Sequence, residues 1–148
     1  MNSGPRSASG RQRPDNGTVI GFDFGEKRIG VAVGELAIGI AHPLTTIEAE
    51  DNTTRFAAIA ALIDTWHPVA LVVGVPRPAE DRPHEVARLA QRFARRLEGR
   101  FGLRTRLIDE RLSSYAAEMA LRDQGAKRRD VLDAAAAQQI LQSYFDAA

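Results

Sequence analysis

Three acidic positions stand where a small domain has reason to avoid charge. Asp23 falls inside the run Val19-Ile20-Gly21-Phe22-Asp23-Phe24, Asp109-Glu110-Arg111 follows an apolar stretch ending at Ile108, and Asp133 recurs with Ala137, Ile140 and Tyr144 at i, i+4, i+7 and i+11. Strand alternation puts Ile20, Phe22 and Phe24 on one face and Val19, Gly21 and Asp23 on the other. Gly30 and Ala32 on the neighbouring strand would leave room beside Asp23 for an ion or a phosphate. Adjacent strand residues point to opposite faces, so only one of Asp109 and Glu110 can share Asp23's space. Helical spacing puts Asp133 on the stripe that faces the sheet. Oxygen-only clusters of this kind suit Mg2+ or Mn2+, and such ions activate water and stabilise a leaving oxygen in phosphodiester hydrolysis.

Each acid also has a structural reading. Asp23 could pair with Lys27 or Arg28 at the strand end, Asp109-Glu110-Arg111 could be a polar loop, and Asp133 could be a first-turn acid behind an Asp130 N-cap, favoured by the helix dipole. Charge in an apolar element is costly unless paired, and three such acids together are more informative than each alone.

The elements that must position these residues follow from the rest of the chain. At 148 residues, 44% of them hydrophobic, it fits one domain with a real core. The absence of cysteine excludes disulfides, thiolate zinc sites and cysteine nucleophiles. No apolar run approaches the roughly 20 residues of a membrane span and no signal core opens the chain, so a cytoplasmic location is expected. Residues 1–16, rich in Ser, Gly, Pro and Arg, read as a disordered tail before a domain at 17–148. Thr18–Phe24 and Arg28–Gly34 predict a hairpin, and a third short strand is expected near Ala37–Ala41, ended by Pro43. Phe56, Ile59, Ala60, Ile63 and Trp66 predict a helix capped by Thr53 or Thr54. Val69–Val73 reads as a central parallel strand stopped by Gly74-Val75-Pro76. Val86 to Leu97 predicts a second helix followed by Gly99 and Gly102, and Arg104–Ile108 a further strand. Helices about Ser114–Asp123 and Val131–Phe145 close the chain. The expectation is an α/β domain with a mixed five-stranded sheet and helices on both faces.

Four segments carry a resemblance. Gly21-Phe22-Asp23-Phe24-Gly25-Glu26-Lys27-Arg28-Ile29-Gly30-Val31-Ala32, Val72-Val73-Gly74-Val75-Pro76, Asp109-Glu110-Arg111-Leu112-Ser113-Ser114, and Asp133-Ala134-Ala135-Ala136-Ala137 with Ile140-Leu141-Gln142 resemble the YqgF family of pre-16S rRNA nucleases, also described as Holliday junction resolvase-like proteins. The resemblance implies a ribonuclease H-like fold and divalent-metal-dependent hydrolysis that trims the 5′ end of small-subunit ribosomal RNA precursors. Asp23, Glu110 and Asp133 would then be catalytic metal ligands; the resemblance, not periodicity, selects Glu110 over Asp109. The loop Arg77-Pro78-Ala79-Glu80-Asp81-Arg82 departs from the family pattern, and no role carries over to it.

The charge balance is +1, but nine arginines stand against four acids between Arg77 and Arg106, so one side is expected to be basic. Arg88, Arg92, Arg95 and Arg96 form the polar face of the second helix, either solvated or a phosphate-binding stripe. Lys27, Arg28 and Arg111 lie beside the acids and are candidates for holding a scissile phosphate, although neutralising Asp23 is the simpler role for such cations. His42, His67 and His84 show no metal-ligand spacing and read as structural or solvated. The expected partner is nucleic acid, ribosomal RNA precursor ahead of DNA, within or outside a pre-ribosomal particle. The chain would act as a monomer or homodimer; a junction resolvase would have to be a symmetric dimer, and a silent RNA-binding assembly factor would need no metal site.

Overall fold

The computed structural model describes residues 16–75, 85–109 and 129–147. Five strands, β1 (Thr18–Asp23), β2 (Arg28–Glu35), β3 (Ile40–Glu48), β4 (Ala70–Val75) and β5 (Arg104–Asp109), form one sheet in the order β3-β2-β1-β4-β5. The hairpin pairs β1–β2 and β2–β3 are antiparallel, whereas β1–β4 and β4–β5 are parallel, so the sheet is mixed as expected. Helices α1 (Asn52–Trp66) and α2 (Glu85–Phe101) cover one face and α3 (Arg129–Asp146) the other. The expected helix about Ser114–Asp123 and the loop 77–82 lie outside the described residues. No helix among the described residues is long and apolar enough to cross a membrane.

The two faces are packed differently. Ile20, Phe22, Ile29, Val31, Leu71 and Val73 meet Phe56 and Ile59 of α1 and Phe93, Ala94 and Leu97 of α2 in the larger core. Phe93 is its hub, with ring centroids 5.8 Å from Phe22, 5.1 Å from Phe24 and 5.9 Å from Phe56. On the second face Val19, Ala32, Ala70 and Val72 meet Ala137, Ile140, Leu141 and Tyr144 of α3. Small residues let this helix sit close: a Cβ on Gly21 would lie 3.0 Å from Leu141 Cβ, and one on Gly30 only 1.9 Å from the carbonyl oxygen of Asp133. Polar side chains finish the docking against the edge strand. Gln142 Oε1 accepts from the Ala41 N–H at 2.9 Å, and Gln138 Nε2 donates to the Ala41 carbonyl at 3.0 Å.

Several boundaries differ from expectation, each for a physical reason. The third strand is Ile40–Glu48, not Ala37–Ala41, and residues 36–39 form the turn. Pro43 lies within it because β3 is an edge strand and the β2–β3 register shifts between Val31 and Ala32, where a missing N–H is tolerated. The cap of α1 is Asp51, whose Oδ2 accepts from both the N–H and the Oγ1 of Thr54 at 2.8 Å; Thr53 and Thr54 are already helical. The Thr54 bonds hold the Asp51 carboxyl below its usual pKa, so this contribution is present at neutral pH and fades as pH falls through that lowered value. Gly99 lies inside α2, which continues to Phe101 and ends at Gly102 with φ +66°, where left-handed backbone favours glycine. Strand β4 runs on through Gly74 and Val75, and Asp130 is within α3 rather than capping it, since Arg129 is already helical.

Among the described residues Arg55 is the buried charge, 5% exposed. Its Nε donates to the Ala49 carbonyl at 2.6 Å, and Nη2 donates to the carbonyls of Gly25, at 2.5 Å, and Glu26. Burial pushes its pKa down, yet an arginine stays charged, so the guanidinium is a fixed cation that clamps the β1–β2 turn onto the start of α1.

Two stability tests follow. Gly30→Ala is expected to cost about 2 kcal/mol or more because backbone must move, whereas Gly99→Ala, with no atom within 4 Å of the new Cβ, is expected to gain up to about 1 kcal/mol. Urea midpoints for the two variants should move in opposite directions. Arg55→Met, which keeps the stem but leaves three carbonyls without their donor, is expected to lose about 2 to 3 kcal/mol in the same assay.

Candidate active site

Asp23 and Asp133, 110 residues apart in sequence, come level with each other at the carboxyl end of β1. Asp23 pairs with Gly30 of β2 and Gly74 of β4 in adjacent register. Gly21, on the same face of β1, lies under Ala137 and Leu141. Two residues further along a strand advance about 7 Å, and one helical turn about 5.4 Å, so Asp23 comes level with residue 133 of the antiparallel α3. The Gly30 contact with the Asp133 backbone fixes the same level independently. The expected face of each acid therefore holds: Asp23 turns toward α3, and Asp133 lies on the stripe that faces the sheet, beside buried Ala137 and Ile140.

The space beside Asp23 is used otherwise than expected. Gly30 does not leave a gap for an ion; the vacancy of its missing side chain is filled by the Asp133 carbonyl. What the glycine provides is the approach of the helix that carries the second acid.

Arg28 also departs from its structural reading as a partner for Asp23. It shares the α3 face with Gly30, two residues on, and its Nε donates to Asp133 Oδ2 at 2.7 Å, with side chains 31% and 21% exposed. This charge-assisted bond fixes one carboxylate oxygen of Asp133. Lys27 is exposed in the turn between β1 and β2.

On β5 the alternation places the first of the paired acids. Ile108 packs with the α3 face in register with Gly74, and Asp109, paired with Val75, belongs to the opposite face from Asp23. Glu110 and Arg111 lie outside the described residues. Among the described residues no three His, Asp or Glu side chains form a group able to hold a metal. The pair Asp23 and Asp133 supplies hard oxygen donors of the type Mg2+ and Mn2+ prefer, so the donor chemistry fits such an ion.

Of the histidines, His67 caps α1 in left-handed conformation, with φ +48° and its N–H on the Ile63 carbonyl at 2.8 Å, and His42 is exposed within β3. His84 lies outside the described residues. Sequence reasoning missed Arg55, whose polar position just before Phe56 looks solvated in a helical pattern; only the turn carbonyls folded over it reveal its role.

Comparison with known proteins bears on the fold and the family. The fold is shared with RuvC of Thermus thermophilus, a ribonuclease H-like protein: the structure titled as a complex with Holliday junction substrate matches with a TM-score of 0.58 at 14% identity, covering 88% of this chain and 94% of that one. A second Thermus thermophilus RuvC structure gives a TM-score of 0.52 at 13% identity, covering 88% and 95%. Curated relatives carry the name "Putative pre-16S rRNA nuclease". That of Methylobacillus flagellatus is 59% identical over 133 residues, covering 88% of this chain and 91% of the relative. That of Nitrosospira multiformis is 51% identical over 137 residues, covering 90% and 91%. Residues 17–147 match the family model described as "RuvX: Holliday junction resolvase", and the chain belongs to that family.

Proposed function

We propose that this protein is a divalent-metal-dependent nuclease that processes the 5′ end of pre-16S ribosomal RNA, with Asp23, Glu110 and Asp133 as its metal-holding acids. The observation that carries the reading is that Asp23 and Asp133 lie level across Gly30, in a chain 59% identical over 133 residues to a relative named as a pre-16S rRNA nuclease. Asp109 faces away from Asp23, which leaves Glu110 as the member of its pair suited to the third position. A bound Mg2+ or Mn2+ would supply an activated water and charge stabilisation for phosphodiester hydrolysis.

The chain's own residues prepare that chemistry. Arg28 holds Oδ2 of Asp133, which orients the carboxylate and leaves its other oxygen for an ion. Arg55 pins the Gly25 and Glu26 carbonyls, so the turn that follows Asp23 and carries Lys27 is fixed before substrate arrives. Lys27 and Arg111 are assigned to the phosphate flanking the cut, and Arg28 serves it through its remaining donors.

The RuvC fold and the family description favour a second reading, resolution of four-way DNA junctions by a homodimer. Cleavage of end-labelled pre-16S RNA fragments, alone and in pre-ribosomal particles, and of a four-way DNA junction separates the two. The RNA is expected to be cut at its 5′ flank with Mg2+ or Mn2+ and left intact with chelator. Asp23→Asn, Glu110→Gln and Asp133→Asn should each lower the rate by about 10²- to 10³-fold. Cutting confined to the junction would select the resolvase, and full activity in all three variants would remove the site assignment.

A further inference from the structure

The other face of the same strand end holds a second feature. Phe24 follows Asp23 and by alternation turns away from α3, toward a cavity of about 320 Å³ between the β1–β2 turn, the start of α1 and one side of α2. Glu26 lines it from the turn, Glu50 from the segment before α1, Arg55 from α1, and Arg92 and Arg96 from α2. Leu89, Arg92, Phe93 and Arg96 follow helical spacing, so the two arginines lie in one row above an apolar floor.

We propose that this cavity is a subsite for one ribonucleotide of the RNA strand next to the cut, a role that rests on the nuclease reading above. Arg92 and Arg96 make no hydrogen bond or ion pair among the described residues, so their forks are available to phosphate oxygens. Arg88 of the same helix is instead taken up by Glu85. Arg55 adds a fixed positive charge at the base, since its three hydrogen bonds go to neutral carbonyls. The acids Glu26 and Glu50 oppose a bare polyphosphate but suit a ribose, whose 2′-hydroxyl needs an acceptor. The volume fits one nucleotide rather than a duplex. Asp23 and Phe24 are consecutive residues, so a strand crossing the sheet edge at the cut reaches the cavity within a nucleotide or two.

Binding of a fluorescent single-stranded RNA oligonucleotide, measured in chelator across a salt series, tests this without requiring cleavage. The double variant Arg92→Ala/Arg96→Ala is expected to weaken binding about tenfold or more and to reduce the log–log salt slope by about 1.4, two single-strand phosphate contacts. Arg88→Ala/Arg95→Ala removes the same charge from outside the cavity and should change affinity less than threefold. DNA of the same sequence should bind more weakly than RNA. Equal losses in the two double variants, no loss in either, or equal affinity for RNA and DNA would each overturn the assignment. Loss confined to Arg92→Ala/Arg96→Ala, in a protein that cuts no substrate under any metal, would support the cavity while removing the nuclease reading.

Discussion

The contact between Gly30 and the backbone of Asp133 is the constraint on which the site depends. Any side chain at position 30 would enter the helix backbone, so the approach of α3 to the sheet is set by that glycine. The approach brings an acid of the helix level with an acid of β1 that is Gly30's strand partner. Arg28, on the same face of the same strand as Gly30, supplies the cation that pairs with the helix acid. Small residue, acid and cation thus belong to one local device, and the helix cannot shift outward without separating all three.

The two sheet faces divide the remaining work. The α3 face is built from alanine, valine and glycine, which permit close helix packing and leave the acids near the strand ends. The opposite face is built around Phe93 and larger aliphatic residues, and it anchors α1 and the arginine-bearing α2. Arg55 links the halves: fixed between α1 and the β1–β2 turn, it makes the segment after Asp23 part of the core rather than a loose connection. Arg100 over the Phe56 ring at 4.2 Å ties the end of α2 to the same core.

A shared fold with RuvC at 14% identity shows how little of that architecture is specified by particular residues. Fold alone leaves the substrate open, because the same sheet serves different nucleic acids. The nucleotide-sized cavity beside Phe24 and the arginine row of α2 are where this chain has room to distinguish them.

Local sequence by itself determined the hairpin, the alternation that sets Asp23 apart from Phe22 and Phe24, the apolar β4 and the helical stripe that includes Asp133. Those depend on periods of two and of 3.6, which a single element imposes on its own residues. Edge position was not legible, so Pro43 looked like a strand terminator when an edge strand with a register shift accommodates it. Nor was the cap of α1, because Asp51, Thr53 and Thr54 compete on equal chemistry until the first helical residue is known. Partnership across the fold was decided by tertiary structure alone. The sequence placed Arg28 nearest Asp23, but the Gly30 approach brought Asp133 to it; Arg55 found its carbonyl partners only when the turn closed over it; and the arginines of α2 divided into a row lining a cavity and a row outside it only when the helix docked. Long-range pairing depends on which surfaces are small enough to meet, and that is a property of two elements together.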